Sequence, residues 1–174
     1  MEIEVKFKVD NLGDLENRLK ELGAVFKGTE IEEDIYYQHP CRDFRLTDEA
    51  LRLRRTPKAC ELTYKGPRAP GKLKAREEIV VEVKDFVKAN ILLRKLGFRK
   101  IAVVKKTRRK YILGNREICL DEVEGLGEFI EVELLVEKSL SEAEKELLDF
   151  AKKLGISGEP ITKSYLELLL ERRT

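Results

Sequence analysis

The sequence predicts an α+β fold in which a sheet curls into a barrel and helices pack outside it. Segment after segment alternates aliphatic and charged residues with the period of two that is typical of a β-strand. The charged face of these strands carries both signs, whereas the wet face of an ordinary sheet carries scattered polar residues. Leucine-rich segments with helical spacing separate the strands. The simplest arrangement that accommodates both faces is a barrel whose aliphatic faces are buried under the helices and whose charged faces line the lumen.

The first strand shows the pattern most clearly. In residues 2–9 the aliphatic side chains fall on one face, and the opposite face carries Glu2, Glu4, Lys6 and Lys8. Neighbours on that face are about 7 Å apart. Hard cations prefer carboxylate oxygens and phosphates prefer lysine or arginine, so Glu-x-Glu-x-Lys suits a metal and an anion together. Taken alone, the stretch also fits an edge strand with a solvated face.

The elements of the first half follow in order. Residues 11–22 predict a helix that Asn11 caps and Gly23 ends. A short strand at residues 24–28 is followed by a loop-rich crossing segment that runs to residue 50. The strands at 50–55 and 60–66 place Arg52 with Arg54 and Glu61 with Lys65. A loop rich in proline and glycine precedes a long strand at residues 76–84.

The second half repeats this plan. Asp85 begins a helix that ends at Gly97, and strands are predicted at residues 101–111, 116–123 and 128–136. A helix from Ser141 to residue 154, with Glu144 completing a capping box, and a helix at residues 164–172 close the chain. The sequence KLGFRK echoes ELGAVFK, and EVK precedes both helices. We interpret this as a weak internal repeat, with chance similarity of two amphipathic helices as the alternative.

Composition excludes several classes of function. Charged residues make up 39% of the 174 residues but the net charge is only +2, which argues against a simple nucleic-acid binder. His39 is the only histidine and is predicted to lie in a loop beside Pro40, so a histidine-based triad or a multi-histidine metal site is excluded. Three scattered cysteines, a charged strand at the start and the lack of a long apolar run predict a cytoplasmic, non-membrane protein. Scarce Asn, Gln and Met hint at a thermophilic source, which a mesophilic melting temperature would contradict.

Seven ordered motifs resemble the CYTH superfamily, the triphosphate tunnel metalloenzymes, over essentially the whole chain. They are EIEVK (2–6), ALRLR (50–54), LTYKGP (62–67), AREE (75–78), KKTRRKY (105–111), LDEVEGLGEFIEVE (120–133) and SYLELL (164–169). The stretch at residues 34–54 looks most like the class IV adenylate cyclase (CyaB-like) branch. The resemblance implies a closed antiparallel barrel of about eight strands that is open as a tunnel, a single CYTH domain over residues 1–174, and a homodimer.

The resemblance also assigns site residues, most of which the face pattern selects independently. The metal would be Mg²⁺ or Mn²⁺, held by Glu2, Glu4, Glu78, Asp121, Glu131 and Glu133. The triphosphate would be gripped by Lys6, Arg52, Arg54, Lys65, Arg76, Lys106 and Arg108. The residues carrying the catalysis would be Glu2, Glu4, Lys6, Glu131 and Glu133. Only Asp121 rests on the resemblance alone, because its strand alternates weakly.

Three functions stay open at this point. An adenylate cyclase would convert ATP to cyclic AMP and pyrophosphate, and the resemblance favours it slightly. A triphosphatase would hydrolyse tripolyphosphate, a nucleoside triphosphate or thiamine triphosphate, and it needs no nucleoside pocket. A non-catalytic polyphosphate-binding protein is the third, although pure anion binding would not need carboxylates at every metal position.

Overall fold

The computed structural model describes residues 2–71, 74–135 and 138–173, and for Glu2 and Lys74 the backbone only. These residues form one antiparallel sheet of nine strands in the order β5-β1-β9-β8-β7-β2-β3-β4-β6. The strands are β1 (Glu2–Lys8), β2 (Val25–Gln38), β3 (Ala50–Arg55), β4 (Cys60–Lys65), β5 (Lys74–Arg76), β6 (Glu78–Glu82), β7 (Arg99–Leu113), β8 (Arg116–Val123) and β9 (Gly127–Leu134). The helices are α1 (Leu12–Glu21), α2 (Phe44–Thr47), α3 (Phe86–Lys95), α4 (Leu140–Lys153) and α5 (Tyr165–Arg172).

The sheet curls into a nearly closed barrel, as the sequence predicted. Its two edge strands, β5 and β6, are consecutive in the chain and separated only by Glu77. The Gly66 amide donates to the Glu77 carbonyl at 2.9 Å, which ties the end of β4 to this seam. The predicted continuous strand at residues 76–84 is therefore wrong, because the chain breaks at Glu77 to pass from one edge of the sheet to the other.

The largest error of the sequence prediction concerns β2. The residues assigned to a short strand and a loop-rich crossing form one 14-residue strand, Val25–Gln38, which pairs with β7 and β3. Its outward face includes Glu33, so its aliphatic stripe is incomplete and the alternation is weak. The cap of α4 also differs from the prediction, because Ser139 and Glu142 form the capping box, two residues earlier than Ser141 and Glu144.

The strand order supports the internal repeat. One half runs β1-α1-β2-β3-β4 and the other β6-α3-β7-β8-β9. The first strand of each half pairs with the last strand of the other half, and β2 and β7 pair with each other at the centre. The caps match as well, since Asn11 accepts from the Asp14 amide and Asp85 from the Lys88 amide. The fold is therefore pseudo-two-fold.

The aliphatic faces pack outward under helices. Leu15 and Leu19 of α1 and Leu147 of α4 cover the outer face of β1, β8 and β9. Leu93 of α3 covers Leu53 and its neighbours on the other side of the barrel.

The helix α5 differs from the other helices because it packs on the lumen side. Its Tyr165 and Leu166 contact Tyr36, Val104 and Phe129, whose register places them on the inner face. In the described ranges no helix is long and apolar enough to cross a membrane.

Candidate functional site

Three carboxylates occupy neighbouring positions on the inner face of the barrel. Glu4 of β1 pairs in register with Glu133 of β9, which pairs with Glu117 of β8. Directly opposed residues have Cβ atoms about 4.5–5.5 Å apart, and like charges there repel each other. We call Glu4, Glu133 and Glu117 the carboxylate row. The sequence prediction included the first two and missed Glu117.

The next layer of the lumen is a buried ion-pair network around Arg108. Its Nε and Nη2 donate to the two carboxylate oxygens of Asp121 at 2.7 and 2.6 Å, and Nη2 also donates to Glu131 Oε2 at 2.8 Å. The Lys6 Nζ lies 3.5 Å from Glu131 Oε1 and donates to the Lys163 carbonyl. Burial lowers the pKa of Arg108, but the facing carboxylates outweigh it and raise that pKa well above its usual value. These four predicted residues therefore meet, and each charge has a partner.

A second buried network was only half predicted. Arg54 donates to both oxygens of Asp34 at 2.7 and 2.8 Å and lies 3.2 Å from Glu32. Lys106 Nζ lies 3.0 Å from Glu32 and 3.2 Å from Asp34. Sequence reasoning found the two cations and missed the two carboxylates, because both lie in the segment assigned to a loop. The alternation of Glu30, Glu32 and Asp34 is the signal that could have revealed them.

Acid should weaken this second network. Burial raises the pKa of Glu32, but attraction by Lys106, Arg108 and Arg54 outweighs it and lowers the pKa to about 2. A carboxylate whose pKa is depressed on folding stabilises the protein above its unfolded pKa, near 4.5. We expect the free energy of unfolding to fall on the order of 3 kcal/mol between about pH 4.5 and 2. Urea unfolding across this pH range measures the change in unfolding free energy. An equally steep fall in the Glu32→Gln protein would contradict the assignment of this pH dependence to Glu32.

Arg52 is the buried cation that lacks such a partner. It is 8% exposed, and Nη2 makes one long hydrogen bond, 3.4 Å, to Thr63 Oγ1. Its Nε has no hydrogen-bond partner, and no carboxylate of the described residues lies within ion-pair distance. Burying a charge without a partner is costly. A guanidinium held in this way is prepared to bind an anion.

The remaining predicted cations, Lys65 and Arg76, lie together in a small pocket beside Glu4. Glu4, Lys65, Arg76 and Glu78 line this pocket of about 40 Å³, which we call the mouth pocket. Lys65 Nζ lies 2.7 Å from Glu78 Oε1. Arg76 donates to the backbone carbonyls of Gly66 and Asp48. These two hydrogen bonds fix its guanidinium group in place but do not neutralise its charge. Burial lowers the pKa of Arg76.

Tyr165 connects the two buried networks. Its hydroxyl donates to Asp121 Oδ2 at 2.6 Å, and its ring lies 4.0 Å from Lys6 Nζ and 5.4 Å from Lys106 Nζ. Burial raises the pKa of the hydroxyl well above its usual value, so it stays protonated and can donate. Tyr165 belongs to the motif SYLELL, but no role was predicted for it from the sequence.

Removing the Tyr165 hydroxyl should cost little, and removing the ring should cost more. In Tyr165→Phe, Asp121 keeps its bonds to Arg108, so we expect a loss of about 1–2 kcal/mol in unfolding free energy. In Tyr165→Leu the cation–π contacts to two buried lysines are also lost, which adds about 1–2 kcal/mol. Chemical denaturation measures both variants. Equal stability of the two would show that the ring does not support Lys6 and Lys106.

The donor chemistry of the carboxylate row fits a hard divalent cation. In the part of the chain with described side chains, no three His, Cys, Asp or Glu side chains are gathered closely enough to form a complete metal site. The row nevertheless aligns three oxygen donors on adjacent strands, and the register of Glu2 opposite Arg76 puts that residue at the same end of β1. The side chain of Glu2 lies outside the described part. Oxygen donors of this kind suit Mg²⁺ or Mn²⁺ better than softer metals.

Comparison with known families agrees with this geometry. A model described as the CYTH domain matches residues 1–165. The chain belongs to the CYTH family. The family includes adenylate cyclase-like proteins and triphosphatases, and its triphosphate tunnel metalloenzymes use divalent metals.

Several relatives of this CYTH protein cover nearly its whole length. The protein MJ0240 of Methanocaldococcus jannaschii, named as a candidate adenylate cyclase, is 40% identical over 172 residues, which are 97% of this chain and 98% of the relative. Adenylate cyclase CyaB of Aeromonas hydrophila is 30% identical, covering 96% and 87%. The structure of PH1819 from Pyrococcus horikoshii has a TM-score of 0.91 and 45% identity, covering 99% and 100%.

A more distant solved structure shares the fold. HpAC1 from Hippeastrum has a TM-score of 0.76 at 21% identity, covering 99% of this chain and 96% of its own, and is described as having a dominant triphosphatase activity.

Proposed function

We propose that the tunnel binds a triphosphate with a divalent metal and acts on it as an enzyme. The observation that carries the proposal is Arg52, a buried guanidinium with an unsatisfied Nε and no ion-pair partner among the described residues. Lys65 and Arg76 at the mouth pocket extend this cationic surface. Guanidinium groups bind pairs of phosphate oxygens, so this arrangement suits a chain of phosphates.

We assign different roles to the carboxylates. The carboxylate row of Glu4, Glu133 and Glu117, together with Glu2, would hold the metal, which is Mg²⁺ or Mn²⁺ on donor chemistry. Asp121 and Glu131 hold Arg108, and Glu78 holds Lys65, so they act on the metal site only if these ion pairs rearrange. A bound divalent ion supplies positive charge beside the phosphates and lowers the pKa of an attacking hydroxyl or water.

The residues of the chain itself bind and orient the substrate. Arg52, Lys65 and Arg76 would neutralise the phosphate oxygens and stabilise the charge that develops on the leaving group. In the cyclase reaction the ribose 3′-hydroxyl attacks the α-phosphorus and pyrophosphate leaves. In the hydrolase reaction water attacks the terminal phosphorus and orthophosphate leaves. The names of two full-length relatives favour the cyclase, and the likeness to HpAC1 keeps the triphosphatase as the second candidate.

Product analysis separates these reactions. Purified protein is incubated with ATP or tripolyphosphate and with Mg²⁺ or Mn²⁺, and the products are resolved by chromatography. Cyclic AMP with pyrophosphate identifies a cyclase, and orthophosphate without cyclic AMP identifies a triphosphatase. Binding without either product would mean that the protein only sequesters polyphosphate, which overturns the enzymatic proposal.

Neutralising the carboxylate row should abolish most of this activity. In Glu133→Gln we expect metal-dependent turnover to fall about 100-fold, because an amide is a weaker ligand and removes one charge. Glu122→Gln is the matched control, since Glu122 lies on β8 with its side chain 61% exposed on the outer face. Wild-type turnover in Glu133→Gln would contradict the metal assignment.

We also propose that the protein is a homodimer in solution. Analytical ultracentrifugation of the purified protein tests this state.

A further inference from the structure

The outer face of β6 is apolar and uncovered. Glu78 of this strand pairs with Lys65 inside the barrel, so strand parity turns Ile79 and Val81 outward. These two residues are 52% and 51% exposed, and Val80, on the inner face, is 50% exposed. An edge strand with three consecutive half-exposed aliphatic residues is a surface on which another chain can pack.

The pseudo-two-fold symmetry shows what this face lacks. The symmetry relates β6 to β1 and β4 to β9, because each pair joins the first strand of one half to the last strand of the other. Helix α4 covers β1 and β9, where Ile3 and Val5 are 4% and 1% exposed. In the described chain no helix packs to that extent on β4 or β6, since α3 lies mainly over β3 and β7. The same kind of surface is therefore buried in one half of the barrel and open in the other.

Helix α3 lengthens the uncovered surface. It is separated from β6 by three residues, and its Val87 and Ile91, one turn apart, are 60% and 50% exposed. We call Ile79, Val81, Val87 and Ile91 the open face. Stable interfaces take about 800 Å² from each partner, which the five residues of β6 alone are too few to supply. The strand and the first turns of the helix together form a larger apolar surface.

The charges at the two ends of β6 are opposite. Glu77 is exposed just before the strand, and Lys84 and Lys88 are exposed just after it. Among the described residues none of these three side chains has an ion-pair partner. Two copies related by a two-fold axis at the centre of β6 run antiparallel, which brings Glu77 of one copy near Lys84 of the other. The open face is therefore complementary to itself in charge as well as in apolar character.

We propose that the open face binds the same face of a second copy of this chain about a two-fold axis. The inference rests on the homodimer of the proposed function and goes beyond it, because it locates the interface and gives it a role in the tunnel.

The role follows from the position of β6 at the seam of the barrel. Its inner face carries Glu78, which pairs with Lys65, and Val80, which lies in register with Thr63. Thr63 accepts the hydrogen bond of Arg52. Contact with the second copy thus holds in place the edge strand that supports two of the proposed phosphate-binding cations.

Sedimentation equilibrium of the ligand-free protein tests the interface. The monomer–dimer dissociation constant is measured for the wild type, for Val81→Asp and for the control Leu46→Asp, because Leu46 is 85% exposed and lies on α2. We expect a wild-type dimer that Val81→Asp weakens about 100-fold or more, since a carboxylate would be buried there without a partner. Leu46→Asp should leave the dissociation constant within about threefold of the wild type.

A charge swap tests the antiparallel arrangement with exposed positions only. Glu77→Lys brings like charges together at both ends of the interface, so the dissociation constant should rise about 10-fold. Adding Lys84→Glu to the same chain restores opposite charges and should return the constant to within about threefold of the wild type. Because both side chains are exposed, this test stays decisive even where Val81→Asp fails to fold.

The outcomes separate this inference from the proposals on which it rests. A dimer of unchanged strength in Val81→Asp, or a double variant no tighter than Glu77→Lys, would overturn the open face as the interface and leave the homodimer standing. A monomeric wild type would overturn the interface and the homodimer together. Tripolyphosphate binding by that monomer would still support the tunnel as a triphosphate site.

Discussion

An Arg52→Met protein is expected to be more stable than the wild type and to bind tripolyphosphate far more weakly. The guanidinium of Arg52 is buried, its Nε has no hydrogen-bond partner, and its hydrogen bond to Thr63 is long. Replacing an unsatisfied buried charge with an apolar side chain of similar length should raise the free energy of unfolding by about 1–3 kcal/mol. A loss of function that accompanies a gain in stability is typical of a binding site.

The loss of affinity should be large. Truncating one partner of a buried, hydrogen-bonded charge pair costs about 2–5 kcal/mol, which corresponds to a dissociation constant raised about 30-fold or more. Calorimetry gives the affinity and urea unfolding gives the stability. Arg55→Met serves as the control, since Arg55 is on the same strand but faces outward and pairs with Glu33. A destabilised Arg52→Met protein with unchanged affinity would show that Arg52 is structural.

The opposite result is expected for the neighbouring arginine. Arg54 is bound to Asp34 through two hydrogen bonds and to Glu32 through a third contact, and all three side chains are largely buried. Arg54→Met leaves these two carboxylates with Lys106 as their remaining ion-pair partner among the described residues. Breaking a buried ion pair by removing one partner costs about 3–5 kcal/mol. We therefore expect Arg54→Met to lower the free energy of unfolding by this amount, whereas Arg52→Met should raise it.

Arg55, the next residue along β3, provides the control for the loss of stability in Arg54→Met. The ion pair of Arg55 with Glu33 is partly solvated, with side-chain exposures of 49% and 25%. Exposed pairs contribute about 0–1 kcal/mol, so Arg55→Met should unfold within about 1 kcal/mol of the wild type. Denaturant titration of the two proteins measures the difference. Similar stabilities would mean that Arg54 is not held by the buried network.

Much of the barrel could be predicted because side chains in a strand alternate strictly between its faces. The bounds of β3 and β8 were predicted correctly, and the inner-face positions of Arg52, Lys106 and Arg108 follow from the same parity. The strand β2 was missed because Glu33 interrupts its aliphatic face, and pairing with β7 and β3 determines its structure more than local sequence does.

The membership of the site could be predicted, but the partners within it could not. Parity places Lys106 in the lumen, yet its ion pairs with Glu32 and Asp34 depend on a strand 72 residues away in the chain. Asp121 and Tyr165 meet across 44 residues for the same reason. Cross-strand register and the position of α5 decide these contacts, and both are set by tertiary packing.

The ion-pair pattern explains why Arg52 is expected to contribute more to ligand binding than the other buried cations. Lys6, Arg54, Lys106 and Arg108 are each neutralised by carboxylates in the two buried networks. Arg52 lies between these networks and the mouth pocket without such a partner in the described chain. The tunnel thus combines charges that hold the barrel together with a smaller set that is ready for a ligand.

The measurement that tests the central claim most directly is thermal unfolding of the wild type with tripolyphosphate, Mn²⁺, both or neither. A ligand that binds only the folded state raises the melting temperature by mass action. We predict a clear rise with tripolyphosphate, a larger rise when Mn²⁺ is added with it, and no rise from tripolyphosphate in Arg52→Met. An unchanged melting temperature of the wild type at millimolar tripolyphosphate and Mn²⁺ would contradict the tunnel as a triphosphate site.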